Sequence, residues 1–440
     1  MSDIINTRRS VLKGGAATIA AAAMTSADQL LNFAHAWAQN APWKVEKGAK
    51  INLLRWKRFV EAEDVAFMNM IAAFTKATGV EVNVSNESYD DLQPKASVAA
   101  NTGQGLDMVW GLYSLPHLFP SKCVDVTDVA DYLGKKYGGW APSAELYGKA
   151  GNKWIGIPVA ATGGLVNYRI SSMEKAGFKE FPKDTAGFLE LVKALNKNGT
   201  PAGMALGHAS GDANTWLHWA LWSHGGYLVD KSNKVIINSP ETAKALEYVK
   251  ALYDNFIPGT ASWNDSSNNK AFVGGQLHCT VNGISVYVTA SRENKAVAED
   301  MNHAYMPIGP AGKPTELHLP FTMLTFTFSK YPQACKALTA FMLEADQFNP
   351  WVTSASGYLS HFLNAYDANP VWTSDPKRTV YRDVAKRTLT PAGLGTLGEA
   401  AAAAIADFVV VDMFANYCTG REDVKGAIAF AERQAKRLYR

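Results

Sequence analysis

The chain has 440 residues, with 43 Lys and Arg against 40 Asp and Glu, for a formal charge of +3. So even a balance argues against a nucleic-acid-binding domain, which is usually clearly basic. Apolar residues make up 47% and charged residues 19%, a globular composition, and the length exceeds what one compact core usually holds, so two or three lobes are expected.

Near the start, Thr7-Arg8-Arg9-Ser10-Val11-Leu12-Lys13 precedes an alanine-rich stretch, Ala16 to Ala23. Adjacent arginines before a modest apolar core form a twin-arginine signal, which a translocase reads on folded cargo. The stretch is too short to span a bilayer, which takes about 20 strongly apolar residues. Ala36-Trp37-Ala38 before Gln39 has the small-x-small form that signal peptidase cuts, so residues 1–38 are assigned to the signal. An amphipathic N-terminal helix is the alternative. No cysteine sits near the end of the segment, which disfavours a lipid anchor. The mature chain is expected to be a soluble protein of the periplasm. Losing residues 1–38 removes three basic and two acidic side chains, moving the formal charge from +3 to +2.

Ile51 to Trp56 reads as a buried strand, followed by a helix from about Asp64 that presents Phe67, Ile71 and Phe74 on one face and stops at Gly79. Val80, Val82 and Val84 alternate with polar residues as a half-buried strand. A helix through Ala96 to Ala100 ends near Gly103, before the apolar run Met108-Val109-Trp110. Strands and helices alternating at this spacing imply parallel pairing and an α/β lobe. Lys153 to Pro158, Ala161-Thr162-Gly163-Gly164 and Leu165 to Tyr168 read as a strand broken by Pro and paired glycines, a crossing between lobes. One later helix is well marked, with Ser239 as N-cap, Pro240 at its first position, Glu241 in its first turn and Pro258-Gly259 after its end. Met306 to Gly312 is a second crossing, before a strand from Phe321 to Phe328 and a helix from Pro332 to about Ala345. The remainder is mostly helical and closes with Val424 to Leu438.

Four cysteines, Cys123, Cys279, Cys335 and Cys418, lie far apart without metal-ligand spacing; they read as buried thiols, with one disulfide open as an alternative. No HExxH, P-loop or GxSxG pattern occurs, and no cofactor or metal is expected. Gly393 to Gly398 matches GxGxxG, but no strand precedes it, so it reads as a loop and helix start. His218 and His224 are six apart and read as core or surface residues. Nothing positive points to an enzyme, although paired carboxylates of a glycosidase would meet only in space.

Five segments stand in order: Tyr89-Asp90-Asp91-Leu92, Gly105 to Trp110, the Gly156-Ile157-Pro158 crossing with Asn167-Tyr168, Asn238 to Ala243, and Ala271 to Leu277 leading to Asn282-Gly283. Together they resemble the extracellular solute-binding proteins of sugar-type ABC importers, the family of the maltose-binding protein. In the last of these segments, Gln276 stands where the family usually has Lys and His278 where it has a small residue. The resemblance implies a two-lobed α/β periplasmic-binding-protein fold with a multi-crossing hinge and a ligand cleft between lobes. It divides the chain into lobe 1, residues 44–162 and 303–345, and lobe 2, residues 163–302 and 346–440. It implies a monomer that passes a carbohydrate or polyol to membrane permease subunits.

Sugars are held by aromatic faces and by carboxylate, amide and guanidinium groups. Of the 12 Trp, Trp219 and Trp222 read as the core face of a helix. Trp216, in that helix's first turn, is either core or cleft. Loop and strand-end positions supply further candidates: Trp110 and Tyr113 at the C-terminal end of a buried strand, where open α/β sheets place ligands, and Trp263 and Asp265 in the polar stretch Ser262 to Asn269. Asn282 and Gly283 end another strand, and Gly357 and Tyr358 belong to a loop like the family's late cleft loop, though lacking its usual Pro. Lys57, Arg58 and Glu61, after the first strand, are candidates for sugar hydroxyls. The Lys-Arg pair leaves an anionic solute, a sugar acid or phosphate ester, as the alternative ligand. A polyamine is disfavoured because few carboxylates can be placed among aromatics.

Overall fold

The computed structural model describes residues 27–57 and 59–440; the twin-arginine motif, the Ala16 to Ala23 stretch and Arg58 lie outside the described residues. From the N-terminal side run α1 (Ala27–Asn40), β1 (Lys50–Trp56), α2 (Glu61–Thr78), β2 (Glu81–Glu87), α3 (Tyr89–Thr102) and β3 (Met108–Leu112). The α2 and α3 helices stop where the sequence says they should. Gly79 and Gly103 take left-handed φ values of 74° and 70°, and each returns its N–H to the last helical turn.

The chain then enters β4 (Ile157–Thr162), passes Gly163-Gly164, and continues as β5 (Leu165–Arg169). Beyond lie α4 (Asp212–Ser223), α5 (Pro240–Tyr253), β6 (Cys279–Asn282), α6 (Ser285–Glu293), β7 (Met301–Ala304) and β8 (Leu319–Thr325). Last come α7 (Pro332–Met342), α8 (Ala345–Ser354), β9 (Ser360–His361), α9 (Glu399–Ala406), α10 (Val409–Cys418) and α11 (Val424–Leu438). Ser239 caps α5 as expected, its hydroxyl accepting from the Thr242 N–H at 3.2 Å.

Two sheets organise the lobes. The larger has the order β9-β4-β8-β3-β1-β2. Its β1 pairs in parallel with β2 and β3, as the alternating pattern predicts, whereas β8 runs antiparallel to β3 and β4. The smaller is antiparallel, β6-β5-β7. Both Pro/Gly-rich segments read as crossings do cross: β4 belongs to the larger sheet and β5 to the smaller, and β7 returns to β8. The tandem glycines are sterically required there. A Cβ at Gly164 would lie 2.2 Å from Thr215 Cγ2, and one at Gly163 2.6 Å from Val384 Cγ2.

The C-terminal segment divides between the two sheets. The α8 helix packs on α2, with Trp351 donating to Glu63 at 2.8 Å, and β9 extends the larger sheet beside β4. The α10 and α11 helices pack on α5. The helix α1 contains the expected signal-peptidase site and is folded onto α2. Trp37 is buried there, its ring 5.1 Å from Phe341, and its Nε1 donates to Glu344 at 3.1 Å. All four cysteines are buried and free.

Candidate functional site

The C-terminal ends of β1 and β2 lead into Phe59 and Tyr89, the placement that open parallel sheets give to binding groups. These residues face the crossing Thr162-Gly163-Gly164, the start of α4, and the β6–α6 junction at Asn282, Gly283 and Ser285. Tyr358, after α8, closes the ring. Together they line a partly open pocket of about 350 Å³, counting the solvent at its mouth, that also includes Asp212 and Asp265. A wider, solvent-open vestibule, about 900 Å³ with the solvent it contains, has Lys57, Asp90 and Lys270 on its walls and adjoins it at Phe59, Tyr89 and Asp265. Glycines let the backbone form the wall: a Cβ at Gly283 would lie 2.9 Å from Thr162 Oγ1.

The polar groups are few and buried. Asp265 Oδ1 accepts the N–H groups of Gly211 at 2.9 Å and Asp212 at 2.8 Å, so this carboxylate satisfies two free donors at the start of α4. Its Oδ2 has no protein partner, and neither does Thr162 Oγ1. Asp212 Oδ2 accepts from Asn268 at 2.8 Å and Asn282 at 3.2 Å. Burial pushes the Asp212 carboxyl well above the usual range, helped by the charge of Asp265. Burial likewise pushes Asp265 up, to about 7, with Asp90 adding to the shift and the backbone N–H groups opposing it. Tyr89 and Tyr358 share a hydrogen bond between their hydroxyls at 2.5 Å. Phe59 packs against both, with centroids 5.0 Å and 6.2 Å away.

Of the residues expected at the site, Asp265, Asn282, Gly283 and Tyr358 line this cavity, and Lys57 lines the vestibule. Tyr113 lines an adjoining pocket instead. Its hydroxyl donates to the Gly211 carbonyl at 3.0 Å, a contact from the end of β3 to the start of α4. Glu61 is exposed and pairs with Arg292 of α6 at 3.1 Å. Gly357 takes φ +89° beneath Trp372 and turns the chain into Tyr358 without facing the cavity.

The tryptophans correct the sequence reading. Trp110 is fully buried, edge-on to Trp56, Phe67 and Trp351 at 5.0 to 5.6 Å, because β3 is covered on both faces. Trp216 is also fully buried, with Nε1 donating to the Ala205 carbonyl at 2.6 Å; every residue from Ala213 to Ser223 is buried, and none of the tryptophans of α4 lines the cavity. Trp263 is half-buried and packs on the small cluster around Phe272, near Gly203. Conversely, Phe59, Tyr89, Thr162, Asp212 and Thr215 line the cavity without having been singled out from the sequence. Tandem glycines at a strand crossing were the available signal, because they mark a close backbone approach.

Residues 69–380 match the model of a family described as bacterial extracellular solute-binding protein. A Deinococcus radiodurans ABC transporter-binding protein is 22% identical over 251 residues, 55% of this chain and 58% of its own length. The Escherichia coli K12 periplasmic-binding protein YcjN is 27% identical over 217 residues, 47% of each chain. The chain thus spans about half the length of the curated relatives it matches. Among solved structures, maltose-bound MalE3 of T. maritima superposes with TM-score 0.77 at 19% identity, covering 89% of this chain and 100% of that one. A sugar transporter protein of Arthrobacter chlorophenolicus with bound laminaribiose gives 0.76 at 19%, covering 89% and 99%. These likenesses establish the two-lobed periplasmic-binding-protein fold. With the family model spanning most of its length, the chain belongs to the bacterial extracellular solute-binding proteins.

Proposed function

We propose that the chain is the periplasmic substrate-binding component of an ABC importer, exported by a twin-arginine signal. It captures a carbohydrate or polyol between its lobes and delivers it, as a monomer, to membrane permease subunits, without catalysis. The observation that carries this reading is the cavity between the larger-sheet and smaller-sheet elements. Its walls combine the aromatic faces of Phe59, Tyr89 and Tyr358 with buried groups of Thr162, Asp212, Asp265 and Asn282. Aromatic faces suit sugar C–H patches, and a few fixed polar groups suit hydroxyls. Solved proteins of this fold hold maltose, laminaribiose and ribitol, which supports a polyhydroxylated ligand. An anionic solute is disfavoured by the carboxylates inside the cavity, although Lys57 stands in the vestibule.

The test is thermal unfolding of the exported protein against mono- and oligosaccharides, polyols and sugar acids. A ligand at 100 times its dissociation constant should stabilise by about 2.7 kcal/mol. Stabilisation by neutral sugars or polyols supports the reading. Stabilisation by sugar acids alone, or turnover of any panel member, refutes it.

A further inference from the structure

We propose that the solute held in this cleft is a sugar or polyol carrying a protonated primary amine, with the ammonium seated between Asp265 and the aromatic cluster of Phe59, Tyr89 and Tyr358. The proposal rests on the carbohydrate or polyol reading and deepens it by naming the ligand's charge.

The first argument is an unfilled acceptor. Asp265 is only 9% exposed, its Oδ1 is occupied by two backbone donors, and its Oδ2 has no protein partner. Thr162 Oγ1, 8% exposed as a residue, is a second unpartnered oxygen in the same cavity. An ammonium has three donors and no acceptor, so it suits a site that offers buried oxygens.

The second argument is charge. Asp212 and Asp265 line the cavity together, and Asp90 stands at the vestibule, its Oδ1 accepting from Ser210 at 2.8 Å. Among the described residues, the cavity lining contains no Lys, Arg or His; Lys57 and Lys270 lie in the wider vestibule. Buried carboxylates without a cation are costly. A ligand hydroxyl would give Asp265 Oδ2 a hydrogen bond, whereas an ammonium gives it a hydrogen bond and an opposite charge. The upward displacement of both carboxyls by burial is the same imbalance seen from the proton's side.

The third argument is the aromatic wall. The rings of Tyr89 and Tyr358 lie 5.0 and 6.2 Å from that of Phe59, and all three line the cavity that Asp265 also lines. Ring faces attract cations as well as sugar C–H groups. Asn282 and Ser285 also line the cavity, their amide and hydroxyl already bonded to one another and to Asp212, Asn268 and Asn269.

The test compares matched pairs by isothermal titration calorimetry on the exported protein: D-glucosamine with D-glucose, and 1-amino-1-deoxy-D-sorbitol with D-sorbitol. The amine is expected to bind at least about tenfold tighter than its partner in one pair. That advantage should shrink as salt is raised, and in Asp265→Asn the affinity ratio of amine to neutral partner should fall to about one, whatever the variant does to the neutral ligand's own affinity. If Asp265→Asn does not fold, Asp212→Asn and the wild-type pairs decide the matter. Binding of a neutral sugar or polyol with no amine advantage overturns the proposal and leaves the carbohydrate reading standing. No binding by either pair or by any neutral sugar or polyol overturns both.

Discussion

The paired carboxylates make a prediction about pH that needs no ligand. The Asp265 carboxyl has an ordinary value of 3.8 and is pushed by burial to about 7 in the folded chain. Between those values the folded protein keeps the proton and the unfolded chain has lost it. Stability from this group is therefore fully present below pH 3.8 and is lost as pH rises through 7. Each unit crossed costs about 1.4 kcal/mol, so the window amounts to roughly 4 kcal/mol. Carboxylates held low act in the opposite direction; Glu316, bonded to His318 and Arg387 against its own burial, sits at about 2. They are common to wild type and variant, so the informative quantity is a difference. Asp265→Asn cannot titrate, yet its side-chain oxygen can still accept from Gly211 and Asp212. Denaturant unfolding of both proteins from about pH 4.5 to 7.5 should show wild type losing stability relative to the variant as pH rises. Asp212, Asp90, Tyr89 and Tyr358 surround the group and stay in both proteins. Parallel curves would refute the idea that Asp265 is held protonated.

Other changes separate core from cleft. Trp110→Ala should destabilise by about 3–5 kcal/mol in denaturant melts, because it opens a cavity among Trp56, Phe67 and Trp351. Glu63→Ala should cost about 3–5 kcal/mol in the same assay, since Arg55, fully buried and bonded to Glu63, would lose a charge partner. Gly283→Ala should abolish titratable binding while the protein still unfolds cooperatively, because its Cβ enters the cavity 2.9 Å from Thr162 Oγ1. Arg292→Ala should change stability by less than about 1 kcal/mol, since its pair with Glu61 is more than half exposed.

The scaffold was legible because its signals are local. Gly79 and Gly103 announce helix ends, Ser239-Pro240 a helix start, and Gly163-Gly164 a crossing, each through backbone chemistry that neighbouring residues decide. The cavity was half legible. Asn282-Gly283, Asp265 and Tyr358 sit in loops or at strand ends, outside the periodic faces that core packing claims. The tryptophans misled for a physical reason. Trp110 ends a strand buried on both faces and Trp216 lies on a helix buried all round, and in such elements periodicity cannot distinguish a cleft face from a core face. Asp212 carries no signal of its own in the sequence beyond lying at the start of a helix. Its role emerges from Asp265, 53 residues later in sequence, and no sequence spacing encodes that meeting.

The same meeting says where ligand energy has to enter. The start of α4 is gripped from two directions: Tyr113, after β3, donates to the Gly211 carbonyl, and Asp265 accepts the Gly211 N–H. The remaining contacts that tie larger-sheet elements to the smaller-sheet side include Asp90 with Ser210 and Glu61 with Arg292, both exposed. Exposed pairs of this kind contribute at most about 1 kcal/mol each. Moving a two-state hinge from mostly open to mostly closed takes about 5.5 kcal/mol of differential binding. A cleft that signals capture by closing must therefore draw most of that energy from the buried groups. Asp265 is the best placed of them: one oxygen anchors the first turn of α4, and the other, buried in the cavity, has no protein partner.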